Sequence, residues 1–254
     1  MLTGILTTMH IVAIIPARYD STRFPGKPLA SICGKTMIRR VYENARACGL
    51  LNRVVVATDS DEIAREVLGF GGEICMTSSK HETGTDRIAE AAAHFPADFI
   101  VNVQGDEPLL DPAAIEQALL PLLASDHIPM GTLMARIRSK EDFDNPNIVK
   151  VVTDSRGCAL YFSRSAIPFF RGSGHEQVMF RHIGLYVYRR EFLFLLNGMV
   201  QTPLEKAEKL EQLRVLENGF SIHVAETGYA PIGVDVPEDI LLVETALRQQ
   251  GRAV

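Results

Sequence analysis

At 254 residues, 46% of them hydrophobic and 22% charged, the chain has the balance of an ordinary globular protein with material for a sizeable core. A net charge of −5 excludes a general nucleic-acid binder, whose footprint is basic, and no segment is long or apolar enough to span a bilayer. Cys33, Cys48, Cys75 and Cys158 are spaced neither for zinc nor for a disulfide framework, so reduced thiols in a cytoplasmic protein are expected.

No Ser/Gly-rich or charged linker divides the sequence, which reads as one α/β domain over residues 1–254. Residues 1–9, MLTGILTTM, read as a flexible extension that leaves Met9 as an alternative start to Met1. They lack the charged start and long apolar centre of a secretory signal.

Ile11 to Ile15 is an unbroken apolar run, the pattern of a strand covered on both faces in a parallel sheet. It empties into a loop carrying Arg18, Arg23 and Lys27, whose course Pro16, Pro25, Gly26 and Pro28 restrict. Three cations on a stiff loop at the C-terminal end of such a strand fit a polyanion. The other reading is a solvated loop. A phosphate here is held by side chains, because Gly34-Lys35-Thr36 lacks the first glycine of a P-loop, Leu29 standing in its place, and no Gly-x-Gly-x-x-Gly follows the strand.

Thr36 to Cys48 reads as a helix stopped by Gly49, Arg53 to Thr58 as a second buried strand, 61–68 as a helix capped by Asp59, and Glu73 to Met76 as a third strand. That β-α-β-α-β order implies a parallel sheet. The polar loop 77–87, TSSKHETGTDR, leads into a helix from Asp86 to His94. Gly84 and Thr85 fit either close approach of backbone amides to a ligand or a plain N-cap at Thr85. Phe99 to Gln104 is a fourth strand that runs into Gly105-Asp106-Glu107-Pro108, a site for a hard cation on oxygen ligands or simply a turn. Asp111-Pro112 starts a further helix.

From Met130 the pattern changes. Met130 to Ile137, Ile148 to Thr153, Cys158 to Ser163 and Arg181 to Tyr188 read as strands with little helix between them, hence hairpins and antiparallel pairing. In the last of these, Ile183, Leu185 and Val187 point one way, and His182, Gly184, Tyr186 and Tyr188 the other, as a pocket lining or as an amphipathic edge. Leu204 to Glu217 reads as one helix with Glu211 and Gln212 on its solvated face and Gly219 as its stop. Ile222 to Ala225 is a strand, and Asp235 with Glu238 fits a capping box for a last helix.

In order, PARYDSTRFPGKPL, HETGTDR, VNVQGDEP, YFSRSAIP, RHIGLY, LEQLRVLENG and GVDVPED span the chain from about His10 to Leu247. Together these blocks resemble the 3-deoxy-manno-octulosonate cytidylyltransferases, also called CMP-Kdo synthetases. The resemblance implies transfer of CMP from CTP to the anomeric hydroxyl of 3-deoxy-D-manno-octulosonate (Kdo), an acidic sugar of bacterial lipopolysaccharide, releasing pyrophosphate in the presence of magnesium. It implies a nucleotide-diphospho-sugar transferase fold: a three-layer α/β/α sandwich with a mainly parallel mixed sheet and an antiparallel hairpin region in the C-terminal half. It also implies a homodimer, with neither nucleic acid nor membrane as partner.

By the same resemblance Arg18, Arg23 and Lys27 hold the triphosphate beside Ala17, and Arg18, Lys27 and Asp106 carry catalysis. Thr83, Gly84, Thr85 and Arg87 meet the cytosine end, and Asp106 and Asp235 match the magnesium ligands. Gln104, Arg164, His182, Tyr186, Glu211 and Gln212 match the groups that hold Kdo. Pro168 to Gln177 departs from the longer, Asp-containing stretch common in the family, which leaves room for 8-amino-Kdo as the substrate. Transfer to another acidic sugar such as sialic acid, or nucleotide-sugar binding without catalysis, would also suit a fold of this kind.

Overall fold

Five consecutive buried apolar side chains, Ile11 to Ile15, make an interior strand of the sheet on which the first part of the protein is built. The structure is a computed structural model that describes residues 9–20, 23–172 and 178–252. Residues 1–8 of the expected extension and 173–177 of the divergent segment lie outside the described residues. The chain divides into two compact units, residues 1–116 with 231–254, and residues 117–230.

The first unit holds β1 (Ile11–Ala17), a small hairpin of β2 (Ser31–Ile32) and β3 (Lys35–Thr36), then α1 (Met37–Arg46), β4 (Arg53–Thr58) and α2 (Asp61–Gly69). It continues through β5 (Glu73–Met76), α3 (Gly84–Ala93), β6 (Phe99–Asn102) and α4 (Pro112–Leu123), within which the division falls. A C-terminal helix, Asp239–Gln249, completes it. Its main sheet runs β6-β1-β4-β5, and every pair is parallel. From β1 the chain steps one way to β4 and β5, then returns to the other side of β1 at β6. That reversal makes a switch point between the C-terminal ends of β1 and β6, where open α/β sheets bind ligands.

Local competition moves several helix ends from their expected places. α1 stops at Arg46 with Ala47 as its cap, short of Gly49. Ser60, not Asp59, caps α2, its hydroxyl accepting from the Ile63 N–H at 3.3 Å. Thr83 and Asp86 form a capping box on α3, so Thr85 lies inside the helix and is buried. The Asp235–Glu238 box is not formed, because the Asp239 carboxylate accepts from the N–H groups of Asp235 and Val236 at 2.8 and 3.0 Å.

The second unit holds β7 (Met130–Ile137), α5 (Lys140–Asp144), β8 (Lys150–Thr153), β9 (Ala159–Ser163), β10 (Met179–Arg189) and α6 (Arg190–Asn197). Then come α7 (Pro203–Glu208), α8 (Gln212–Glu217) and β11 (Ile222–Glu226). β10 pairs antiparallel with β7 and β8, β8 antiparallel with β9, and β11 parallel with β7. Parallel strands and antiparallel hairpins thus give the mixed α/β class expected. Ile183, Leu185 and Val187 are buried on β10 as the alternation requires, but Tyr188, expected on the polar face, is buried as well.

The largest departure is at 204–217, where one helix was expected and two short ones form. Glu205 and Arg214 are both buried and meet in a bidentate pair at 2.5 and 2.8 Å. Nine residues along an unbroken helix turn a side chain through about 180°, so the two could not meet on it. Lys209 breaks the helix with a left-handed backbone, φ 56° and ψ 47°. The break leaves Gln212 buried and Glu211 half-buried, off the solvated face assigned to them.

Removing one partner of a buried ion pair strands the other charge and costs about 3–5 kcal/mol. Arg214→Met is therefore expected to lower the unfolding free energy by about that amount in urea denaturation, and a loss under about 1 kcal/mol would contradict the role given to this pair.

Candidate active site

Three loops of the first unit converge at the switch point. The loop after β1 brings Ala17, Arg18, Arg23 and Lys27, the turn after β6 brings Gln104 and Asp106, and the segment before the C-terminal helix brings Asp235. They line a cavity of about 280 Å³. Glycine is required at two of its corners. Gly26 has φ +71° and donates its N–H to the Tyr19 carbonyl at 3.0 Å, which turns Lys27 back toward the strand end. A Cβ at Gly105 would stand 2.9 Å from the Pro16 carbonyl oxygen, so only glycine lets this turn lie against the end of β1.

Opposite charges in the cavity hold one another. The Lys27 ammonium donates to the Asp106 carboxylate at 2.7 Å and to the Val234 carbonyl at 2.9 Å, while the Val234 N–H donates to the Asp106 carbonyl at 3.0 Å. These bonds stitch the β6 turn to the segment of Asp235, far away in the chain. Arg23 meets Asp235 at 3.2 Å in an exposed pair that contributes little by itself. Asp235 is available for that pair because Asp239 has taken the cap, the donated N–H groups of Asp235 and Val236 holding the Asp239 carboxyl below its usual range. Among the described residues Arg18 is exposed and enters no ion pair.

The donor set fits magnesium. Asp106 and Asp235 turn two carboxylates to one cavity, and the described residues gather no group of three or more His, Cys, Asp or Glu that would make a complete protein cage. Two carboxylates with the remaining positions left to water and phosphate oxygens is the usual arrangement for that ion.

At the other end of the cavity the expected contacts divide. Gly84 lies on the wall, where an added Cβ would be only in ordinary contact with Pro16 at 3.6 Å. Thr83 lies there too, with its hydroxyl used on the α3 cap. Thr85 does not line the cavity and is buried in α3. Arg87 reaches the wall, but its guanidinium is a brace, donating to Thr77 Oγ1 at 2.5 Å and Asp59 Oδ2 at 2.9 Å and so joining the ends of β4 and β5 to α3. His81 and Glu82 also line the cavity, and His81 pairs with Glu90, whose carboxyl is held low first by the Ser78 N–H and then by His81. Sequence reasoning passed over Asp59, Thr77, His81 and Glu90. His81 stood inside a recognised motif, but its partner lies a helix turn beyond it, and Asp59 had a simpler reading as a cap.

The second unit holds most of the residues matched to Kdo, and Gln104 lies with the first unit's cavity. The His182 ring packs edge-on to Phe162 at 4.9 Å and lies 5.4 Å from Tyr186. Burial pushes His182 down to about 3, so its imidazole is neutral. Burial, then the Glu211 carboxylate, push the Tyr186 phenol up. Arg164 is fastened to protein carbonyls, Nε donating to Glu208 O at 2.7 Å and Nη1 to Pro146 O at 3.1 Å.

The profile of the cytidylyltransferase family matches residues 12–224. A protein of Geobacter metallireducens named 3-deoxy-manno-octulosonate cytidylyltransferase is 57% identical, the match covering 91% of this chain and 95% of that protein. One of the same name from Syntrophotalea carbinolica is 55% identical over 94% of this chain and 99% of its own length. The solved structure of a CMP:2-keto-3-deoxy-manno-octonic acid synthetase complexed with CTP is similar at a TM-score of 0.91 and 40% identity, covering 95% of this chain and 99% of that one.

The neutral His182 leaves a pH signature. Between its ordinary value of 6.5 and the folded value of about 3, the unfolded chain binds a proton that the folded chain refuses, so stability falls as pH is lowered through that window. His182→Gln is expected to lose less Tm than the parent between pH 6.5 and 4, and an unchanged slope in thermal melts would refute the assignment.

Proposed function

The chain belongs to the cytidylyltransferase family, and from that premise we propose that it transfers CMP from CTP to the anomeric hydroxyl of Kdo, releasing pyrophosphate, for lipopolysaccharide synthesis. The observation that carries this reading is the meeting of Arg18, Arg23 and Lys27 with Asp106 and Asp235 in one cavity at the switch point. Its support from relatives is their shared name and the CTP complex of a structure 40% identical.

The anomeric oxygen attacks the α-phosphorus, a new P–O bond forms as the bond to pyrophosphate breaks, and the hydroxyl proton passes to solvent water. Catalysis then consists mainly of alignment and of neutralising charge on phosphate oxygens. Arg18, unpaired among the described residues, is positioned to meet phosphate directly. Lys27 and Arg23 would be freed for phosphate if a divalent cation engaged their carboxylate partners. Asp106 and Asp235 would hold magnesium, which would neutralise charge on phosphate oxygens and lower the pKa of a hydroxyl beside it. Gly84 and Thr83 border the cytosine end, and Arg87 holds that wall in shape.

Arg164, His182, Tyr186, Glu211 and Gln212 in the second unit are proposed sugar contacts, as is Gln104 in the first, and residues 1–254 are proposed as one nucleotidyltransferase domain. A homodimer is the proposed assembly, resting on the family resemblance. Four free thiols support a cytoplasmic setting. No helix of the described residues is long and apolar enough to cross a membrane.

Pyrophosphate release measured with CTP or UTP, against Kdo, 8-amino-Kdo and sialic acid, tests the reading. CTP with Kdo is expected to be fastest, and faster turnover of sialic acid would overturn it. In the same assay Asp106→Asn and Asp235→Asn are each expected to abolish most activity with an unchanged circular dichroism spectrum. Arg18→Ala is expected to cost about one to two powers of ten in kcat/KM. An active Asp235→Asn enzyme would remove that residue from the metal site.

A further inference from the structure

β10 does not run evenly along β7. Ile183 pairs with Leu133 and Val187 with Gly131, so four steps on β10 face two on β7, and the bulge lies at Gly184, Leu185 and Tyr186. Thr132, fully buried, sits opposite the bulge. Its hydroxyl oxygen lies 3.0 Å from the Ile183 carbonyl, 2.9 Å from the Leu185 carbonyl and 2.9 Å from His182 Nε2.

A threonine hydroxyl has one hydrogen to give. Given to the imidazole, it would leave two buried carbonyl oxygens against a bare hydroxyl oxygen, three acceptors with no proton between them. Given to the carbonyls, it leaves the hydroxyl oxygen to accept, and the imidazole must then carry its hydrogen on Nε2. The ring is neutral in its buried setting, so Nδ1 has a lone pair and no hydrogen. No described protein group bonds Nδ1, and the residue as a whole keeps some exposure to solvent.

We propose that Thr132 is a positioning residue that fixes His182 in the Nε2–H tautomer, so that Nδ1 accepts a hydrogen bond from a hydroxyl of the acid sugar. The face is thereby matched to the sugar's O–H groups and not to its carboxylate. The role in sugar binding rests on the function proposed above, whereas the tautomer rests on the bulge alone.

Long-range ¹H–¹⁵N spectra of ¹⁵N-labelled enzyme at pH 7 test both, with the signals of His182 identified by their loss in His182→Gln. The free enzyme is expected to show a protonated Nε2 and a bare Nδ1, and an Nδ1–H pattern overturns the inference before any substrate is added. On saturation with Kdo the Nδ1 signal is expected to shift toward that of a hydrogen-bonded acceptor. A bare Nδ1 that Kdo leaves unmoved overturns the acceptor role while the tautomer stands. Thr132→Val is expected to lose the fixed tautomer and to raise KM for Kdo roughly tenfold with KM for CTP unchanged, and Thr132→Ser to restore both. A Thr132→Val enzyme with parental spectrum and KM, or a Thr132→Ser enzyme as impaired as Thr132→Val, also overturns the inference.

Discussion

The contact between the Lys27 ammonium and the Asp106 carboxylate, 2.7 Å long and partly shielded from solvent, is the constraint on which the first unit's cavity depends. β1 and β6 end side by side because their apolar runs must be covered on both faces, and that alone would leave their loops free to diverge. Lys27 ties the first loop to the second and, through the Val234 carbonyl, to the segment that carries Asp235. Pairing also answers an electrostatic difficulty. Three cations facing no partner would repel one another, as would two carboxylates, and their interleaving keeps the cavity assembled without a ligand. The cost is that neither Lys27 nor Asp106 can serve a ligand fully while it serves the other.

The Lys27–Asp106 pair makes the two ligand classes interdependent. A phosphate offered to Lys27 strands Asp106, and a divalent cation offered to Asp106 strands Lys27. Offered together they satisfy both, and by linkage each then raises the affinity of the other by the same factor. The exposed Arg23–Asp235 pair follows the same logic more weakly, because solvent already screens it.

Strand positions were legible in the sequence wherever burial on both faces forces a continuous apolar run, and β4 and β7 begin and end where that pattern does. The convergence of the loop cations with Asp106 and Asp235 was legible only through the resemblance, since nothing local links residues so far apart. Helix ends were less legible because neighbouring acceptors compete for the same N–H groups: Ser60 displaced Asp59, and Asp239 displaced the box of Asp235 and Glu238. Each displaced aspartate then took a partner across the first unit, Arg87 for Asp59 and Arg23 for Asp235. The break at Lys209 was hidden for a different reason. Helical periodicity is a local signal, and the Glu205–Arg214 pair that opposes it exists only once the two halves have folded back on each other.

Calorimetric titration of CTP into the protein, with and without magnesium, tests the interdependence of Lys27 and Asp106 most directly. The account predicts that CTP binds at least several-fold more tightly with the metal present, and that CTP tightens magnesium binding by an equal factor. Equal CTP affinity in the two titrations would contradict it.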